Sequence, residues 1–152
     1  MVEFDGGVGY AALERLAVQF RAMQMYAHNA HNLTRGETFF ADHEFLGGLY
    51  AAYTEGYDDL VELLIGEGAV PDLQNFQLQA ASALNAMGDD YFPALLQAEQ
   101  EAQAIVEEVA SSGVDQGILQ IVGSLAQSSK SRVYKLKQRV ACGCEEMDES
   151  DD

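Results

Sequence analysis

Three imidazoles and two carboxylates are the side chains best suited to chemistry. His28, His31 and His43 are the chain's three histidines. On a helix His28 and His31, three apart, share a face, as do Asp58 and Glu62, four apart. Imidazole and carboxylate together suit a divalent ion such as Fe²⁺ or Zn²⁺. Fifteen residues separate His43 from Asp58, roughly 22 Å at 1.5 Å per helical residue, so one straight helix cannot bring both to one ion. Either the two sets serve different sites or a second subunit supplies half of the ligands. An antiparallel two-fold pairing would set His43 of one chain near Asp58 of its partner. The plainer alternative is that all are polar residues on partly exposed helix faces. The Glu-x-x-His pattern of an iron pair inside a helical bundle is absent, because Met25, His28 and Phe40 stand three residues before the histidines.

Helical periodicity sets the elements that must position these groups. Apolar residues three and four apart predict a helix over 9–34, through Leu13, Leu16, Phe20, Met23, Ala27, Ala30 and Leu33, ended by Arg35-Gly36. A second is predicted over 38–65, through Phe39, His43, Leu46, Tyr50, Tyr53, Tyr57, Leu60 and Leu64, with Thr38 as its N-cap. Residues 69–89 read as a connection holding one short helix, with Leu73, Phe76 and Leu78 behind an Asp72 cap. Two more long helices follow, one from about residue 91 until Ser111-Ser112-Gly113 and one over 114–141. No strand alternation competes. Two helical hairpins joined by a long connection predict an all-α, ferritin-like four-helix bundle with a crossover. Residues 1–8 are expected to be an extension, 9–141 the bundle, and 142–152 an acidic, disordered tail.

Charge narrows the partners. With 25 acidic and 8 basic residues the net charge is −17, and no Lys or Arg lies between Gly36 and Ser129. Such a surface repels a phosphate backbone and attracts cations. The basic cluster Lys130, Arg132, Lys135, Lys137 and Arg139 reads as a subunit contact, or as charge favourable near a helix C-terminus. No apolar run reaches membrane-spanning length. The acidic start lacks a signal-peptide pattern. Cys142 and Cys144, the two cysteines, give no disulfide framework and are too close together for an ordinary zinc site. A cytoplasmic protein is expected.

The stretch His28-Asn29-Ala30-His31-Asn32-Leu33-Thr34-Arg35-Gly36-Glu37-Thr38-Phe39-Phe40-Ala41-Asp42-His43-Glu44 resembles the signature of the Dps family of mini-ferritins. The likeness continues through Leu49-Tyr50 and Tyr57-Asp58-Asp59-Leu60-Val61-Glu62 to Gly66 and Pro71, about forty-five residues in all. It implies a dodecameric homo-oligomer with iron sites at two-fold interfaces, where His31 and His43 of one subunit meet Asp58 and Glu62 of another. Ferrous iron would be oxidised there by peroxide or oxygen, and ferric mineral stored in the hollow interior. Glu44 is then a candidate for mineral nucleation and Asp115 for a pore. Three departures matter. Gly47 stands where the family places an acid four residues after the second histidine, which lowers the expected rate or affinity. Asn32 replaces an aromatic, commonly Trp, and leaves Tyr50 and Tyr53 as substitute electron donors. A basic N-terminal arm is missing, so DNA binding is not expected. The competing expectations are a structural shell with a degenerate oxidation site and an acidic interaction protein.

Overall fold

The computed structural model describes residues 7–141. Most of the expected N-terminal extension, and the acidic tail with Cys142 and Cys144, lie outside the described residues. Those residues form five helices and no strand: α1 (Val8–Leu33), α2 (Phe39–Gly66), α3 (Leu73–Ala86), α4 (Tyr91–Ala110) and α5 (Gln116–Ala141). None is long and apolar enough to cross a membrane.

The predicted stripes form the core. Leu13, Leu16, Met23, Ala27 and Ala30 of α1 are inaccessible, as are Leu46, Tyr53, Leu60 and Leu64 of α2. Burial of each large side chain contributes on the order of 1.5–3 kcal/mol. The stripes leave the core at their ends, with Leu33, Leu73 and Leu78 all exposed. The short helix α3 therefore buries only Phe76 and Ala80. Its expected cap is present, the Asn75 amide donating to Asp72 Oδ1 at 3.0 Å. Thr38 does stand at the N-cap position of α2, yet its side chain caps no backbone amide. Its hydroxyl instead donates to Asp42 Oδ2 at 2.7 Å. In the turn before α2, Gly36 has φ +96°, a conformation that a Cβ disfavours.

Cross-helix pairs give the directions. Along α1, Tyr10 reaches Glu67, Phe20 packs on Gly56 and His31 meets His43, so α1 and α2 are antiparallel. Arg15 pairs with Glu108, Gln19 with Ala98, and Tyr26 with Tyr91, so α1 and α4 are antiparallel too. The α4–α5 pairs, Glu99 with Arg132 and Gln103 with Ser129, run the same way. Helices α2 and α4 must then point in one direction, and residues 67–90 carry the chain back between them. Helix α3 in this connection packs on α1, where Arg21 donates to Gln77 at 2.7 Å.

Among the described residues one carboxylate, Glu99, is fully buried. Glu99 Oε1 accepts from Tyr53 at 2.7 Å and from Arg132, while Oε2 accepts from Ser129 at 2.7 Å and from Arg132 at 3.4 Å. The guanidinium of Arg139 likewise reaches both oxygens of Asp42, at 3.2 Å. The two arginines of the basic cluster thus bind within the chain, and of the cluster only Lys130, Lys135 and Lys137 are exposed.

Candidate metal site

The α1–α2 hairpin brings His31 and His43 face to face. Their rings stack at 3.7 Å between centroids, with planes 22° apart. Each ring nitrogen Nδ1 meets the other residue's carbonyl: His31 Nδ1 lies 2.7 Å from the His43 oxygen, and His43 Nδ1 lies 2.9 Å from the His31 oxygen. A carbonyl only accepts, so Nδ1 carries the hydrogen in both rings. In the neutral ring the lone pair then sits on Nε2, and both imidazoles are prepared as Nε2 ligands. A backbone carbonyl on the far nitrogen is the usual support that fixes a metal-binding histidine. Phe39 stacks on the outer face of His43 at 4.9 Å.

Asp58 and Glu62 are exposed, one turn apart on α2. They are neighbours of like charge, which costs a helix about 0.2–0.5 kcal/mol. They also stand in the C-terminal half of α2, whose last turn holds no basic residue, so the negative end of the helix dipole goes without a cationic side chain there. A bound cation would relieve both costs. Within one chain the imidazole pair and this carboxylate pair stay apart: among the described residues, no group of three or more His, Cys, Asp or Glu gathers to hold an ion.

The remaining candidates separate. Glu44 is exposed on α2 beside His43. Asp115 caps α5, its Oδ1 accepting from the Ile118 amide at 3.0 Å, so a structural use accounts for it. His28 is exposed and stacks on Tyr50 at 4.4 Å. Tyr50 also stands edge-on to His31, at 5.2 Å and 71°.

The adjacent glycines have different reasons. A Cβ at Gly47 would lie 3.3 Å from His31 Cε1 and Nδ1, so the His31 ring occupies the space that a side chain at 47 needs. A Cβ at Gly48 would meet nothing within 4 Å, and the chain's own packing does not require that glycine. Nothing in the sequence shows the contact between Gly47 and His31.

Sequence reasoning also missed Glu99, although it stands four residues after Leu95 and three before Ala102, on the buried stripe of α4. All four of its acceptor positions are filled, so this carboxylate is not a ligand. A cleft of about 810 Å³ opens between α2 and α5, with Glu55, Asp59 and Glu62 on one wall and Gln120, Ser124 and Ser128 on the other. In comparisons with known proteins, no family model and no curated protein matched the chain.

Proposed function

We propose that this chain is a subunit of a mini-ferritin of the Dps type, which takes Fe²⁺ as substrate between two copies of itself and oxidises it. The observation that carries the reading is the stacked His31–His43 pair, whose reciprocal Nδ1–carbonyl bonds leave Nε2 of each ring as the donor. The partner's Asp58 and Glu62 would complete the shell. Two neutral imidazoles and two carboxylates fit Fe²⁺, and they fit Zn²⁺ as a competitor. With peroxide the balanced turnover consumes two Fe²⁺, one H₂O₂ and two protons, and yields two Fe³⁺ and two waters. Ferric product would collect as mineral inside a hollow dodecamer, with Glu44 as a nucleation residue and Asp115 near a pore.

The arrangement of α2 supports the two-fold pairing. A contact between His43 and the partner's Asp58 centres the crossing midway between them, at Tyr50 and Ala51. The small residues Gly47, Gly48, Ala51 and Ala52 cluster there, and Gly48 and Ala51 are exposed. Two antiparallel hairpins, with α2 and α4 parallel and a long connection between them, support the ferritin-like four-helix topology. A reducing cytoplasm, where Fe²⁺ persists, suits the reaction.

Subunit mixing tests the shared site. His31→Ala and Asp58→Ala homo-oligomers should each lose rapid ferric absorbance after anaerobic Fe²⁺ and then peroxide. In an isologous dimer of one variant with the other, one of the two sites is intact. Random re-assembly of an equimolar mixture should therefore recover about a quarter of wild-type activity. No recovery, with mixed oligomers demonstrated, overturns the shared site. The loss of a ligand at Gly47 favours a second reading, a shell with a decayed site; a wild-type oligomer no faster than free iron supports it. A monomer on sizing leaves the acidic interaction protein.

A further inference from the structure

We propose that Arg139, on a helix that supplies no ligand, is a positioning residue of the metal site: it sets the affinity for the ion by holding the first turn of α2 beside His43. The inference rests on the metal-site reading and adds a residue to it. The imidazole pair depends on backbone at this place. The His43 carbonyl accepts from His31 Nδ1, and His43 Nδ1 donates to the His31 carbonyl. A shift at the start of α2 therefore moves both rings at once.

That start has little support of its own. The first amides of a helix lack partners within it, and a side-chain cap is the usual remedy. Thr38 stands at the cap position without capping, its hydroxyl donating to Asp42 instead. Of residues 39–42 only Asp42 is buried, so the anchor of this turn is a carboxylate. Arg139 donates to both of its oxygens, at 3.2 Å each. The same guanidinium lies 4.4 Å from the centre of the Phe92 ring on α4, and Phe92 stacks on Phe45 of α2 at 6.3 Å. A planar group that donates twice to a carboxylate and packs on a ring is a use for arginine that lysine does not match. Among the described residues Arg15–Glu108 ties α1 to α4 and Arg132–Glu99 ties α5 to α4, whereas Arg139–Asp42 is the ion pair that reaches α2. The pair has a second effect. It spends the carboxylate next to His43 on Arg139 and keeps it out of the metal shell.

Cobalt(II) is the probe, since its visible bands report the ligand shell without any turnover. Anaerobic titration of the wild-type protein should develop bands that His31→Ala loses. Arg139→Met should bind Co²⁺ about ten-fold more weakly, the low end for a change outside the ligand shell, with shifted bands. Arg139→Lys, which keeps the charge without the fork, should recover part of the affinity. Asp42→Asn breaks the same link and carries the test if Arg139→Met does not fold. Combined, the two changes should cost no more than either alone. Arg132→Met removes the other α5 arginine from a buried carboxylate, about two turns away. In protein that circular dichroism shows to be folded, it should bind Co²⁺ as wild type does. Wild-type affinity in Arg139→Met and Asp42→Asn overturns the proposal. So do losses that add in the double variant, or an equal loss in Arg132→Met, which would make the effect a general loosening. Those outcomes leave the metal-site reading standing. Cobalt bands that survive His31→Ala overturn both.

Discussion

Glu99 is the residue on which the core is most exposed to error. A carboxylate at zero accessibility is tolerated because Tyr53, Ser129 and Arg132 fill its acceptor positions. Burial first, and then the Glu99 charge, push the Tyr53 phenol well above its ordinary pKa, so this proton stays in place. Arg132→Met leaves the charge buried without its partner, and the expected loss is about 3–5 kcal/mol in chemical denaturation followed by circular dichroism. Glu99→Leu combined with Arg132→Met should recover most of that loss, because an apolar pair of similar volume replaces the ions. A single variant that loses less than about 1 kcal/mol would show that the pair adds little to stability. Half of this network was legible. Glu99 interrupts an apolar stripe, which marks a buried acid. Its partner lies on another helix, and sequence separation carries no information about which arginine turns inward. The same limit applies at the candidate site: the family resemblance set His31 beside His43, but nothing in the sequence showed that His31 uses the space at Gly47.

At the scale of elements, spacing and chain breakers were enough to place the helices. Apolar positions three and four apart survive as buried faces wherever another helix covers them, and Gly36 and Gly113 stop helices through positive φ values. Stripe ends and cap chemistry were less legible, because both depend on where neighbours stop. Thr38 shows this: its hydroxyl serves Asp42, and Asp42 in turn holds Arg139 of α5. That clamp fixes the start of α2 next to His43, and it should respond to acid. Burial raises the Asp42 pKa, but the hydrogen bonds from Arg139 and Thr38 outweigh it and leave the group below its ordinary value. The folded pKa is therefore lower than the unfolded one, near 3.9. The clamp's stability is fully present above that value and is lost as pH falls through the folded pKa. Thermal melts between pH 5 and pH 3 should show Asp42→Asn starting less stable than wild type at pH 5 and losing less on acidification. Parallel pH profiles for the two proteins would remove Asp42 from the acid response.

For the molecule as a whole, charge sets the terms of assembly. Each chain brings a net −17, and two of its five clustered cations are used internally by Glu99 and Asp42. Copies of this chain therefore repel one another before any contact forms, and in the proposed oligomer apolar and small-residue contacts would have to overcome that repulsion. Screening is the control variable: the Debye length falls from about 30 Å at 0.01 M salt to about 8 Å at 0.15 M. Sedimentation should show larger assemblies as sodium chloride rises over that range, and dissociation on return to low salt. An oligomer held by ion pairs across its interfaces behaves in the opposite sense, so loosening with salt would place Lys130, Lys135 and Lys137 in intersubunit bridges. Low salt is also the condition that most favours cation–phosphate attraction. Duplex DNA mixed at 0.01 M salt should still run free on a gel, since three exposed lysines in the C-terminal half of α5 stand against a net charge of −17. Retardation there, abolished by Lys130→Glu with Lys137→Glu, would mean that this local patch outweighs the field of the whole molecule.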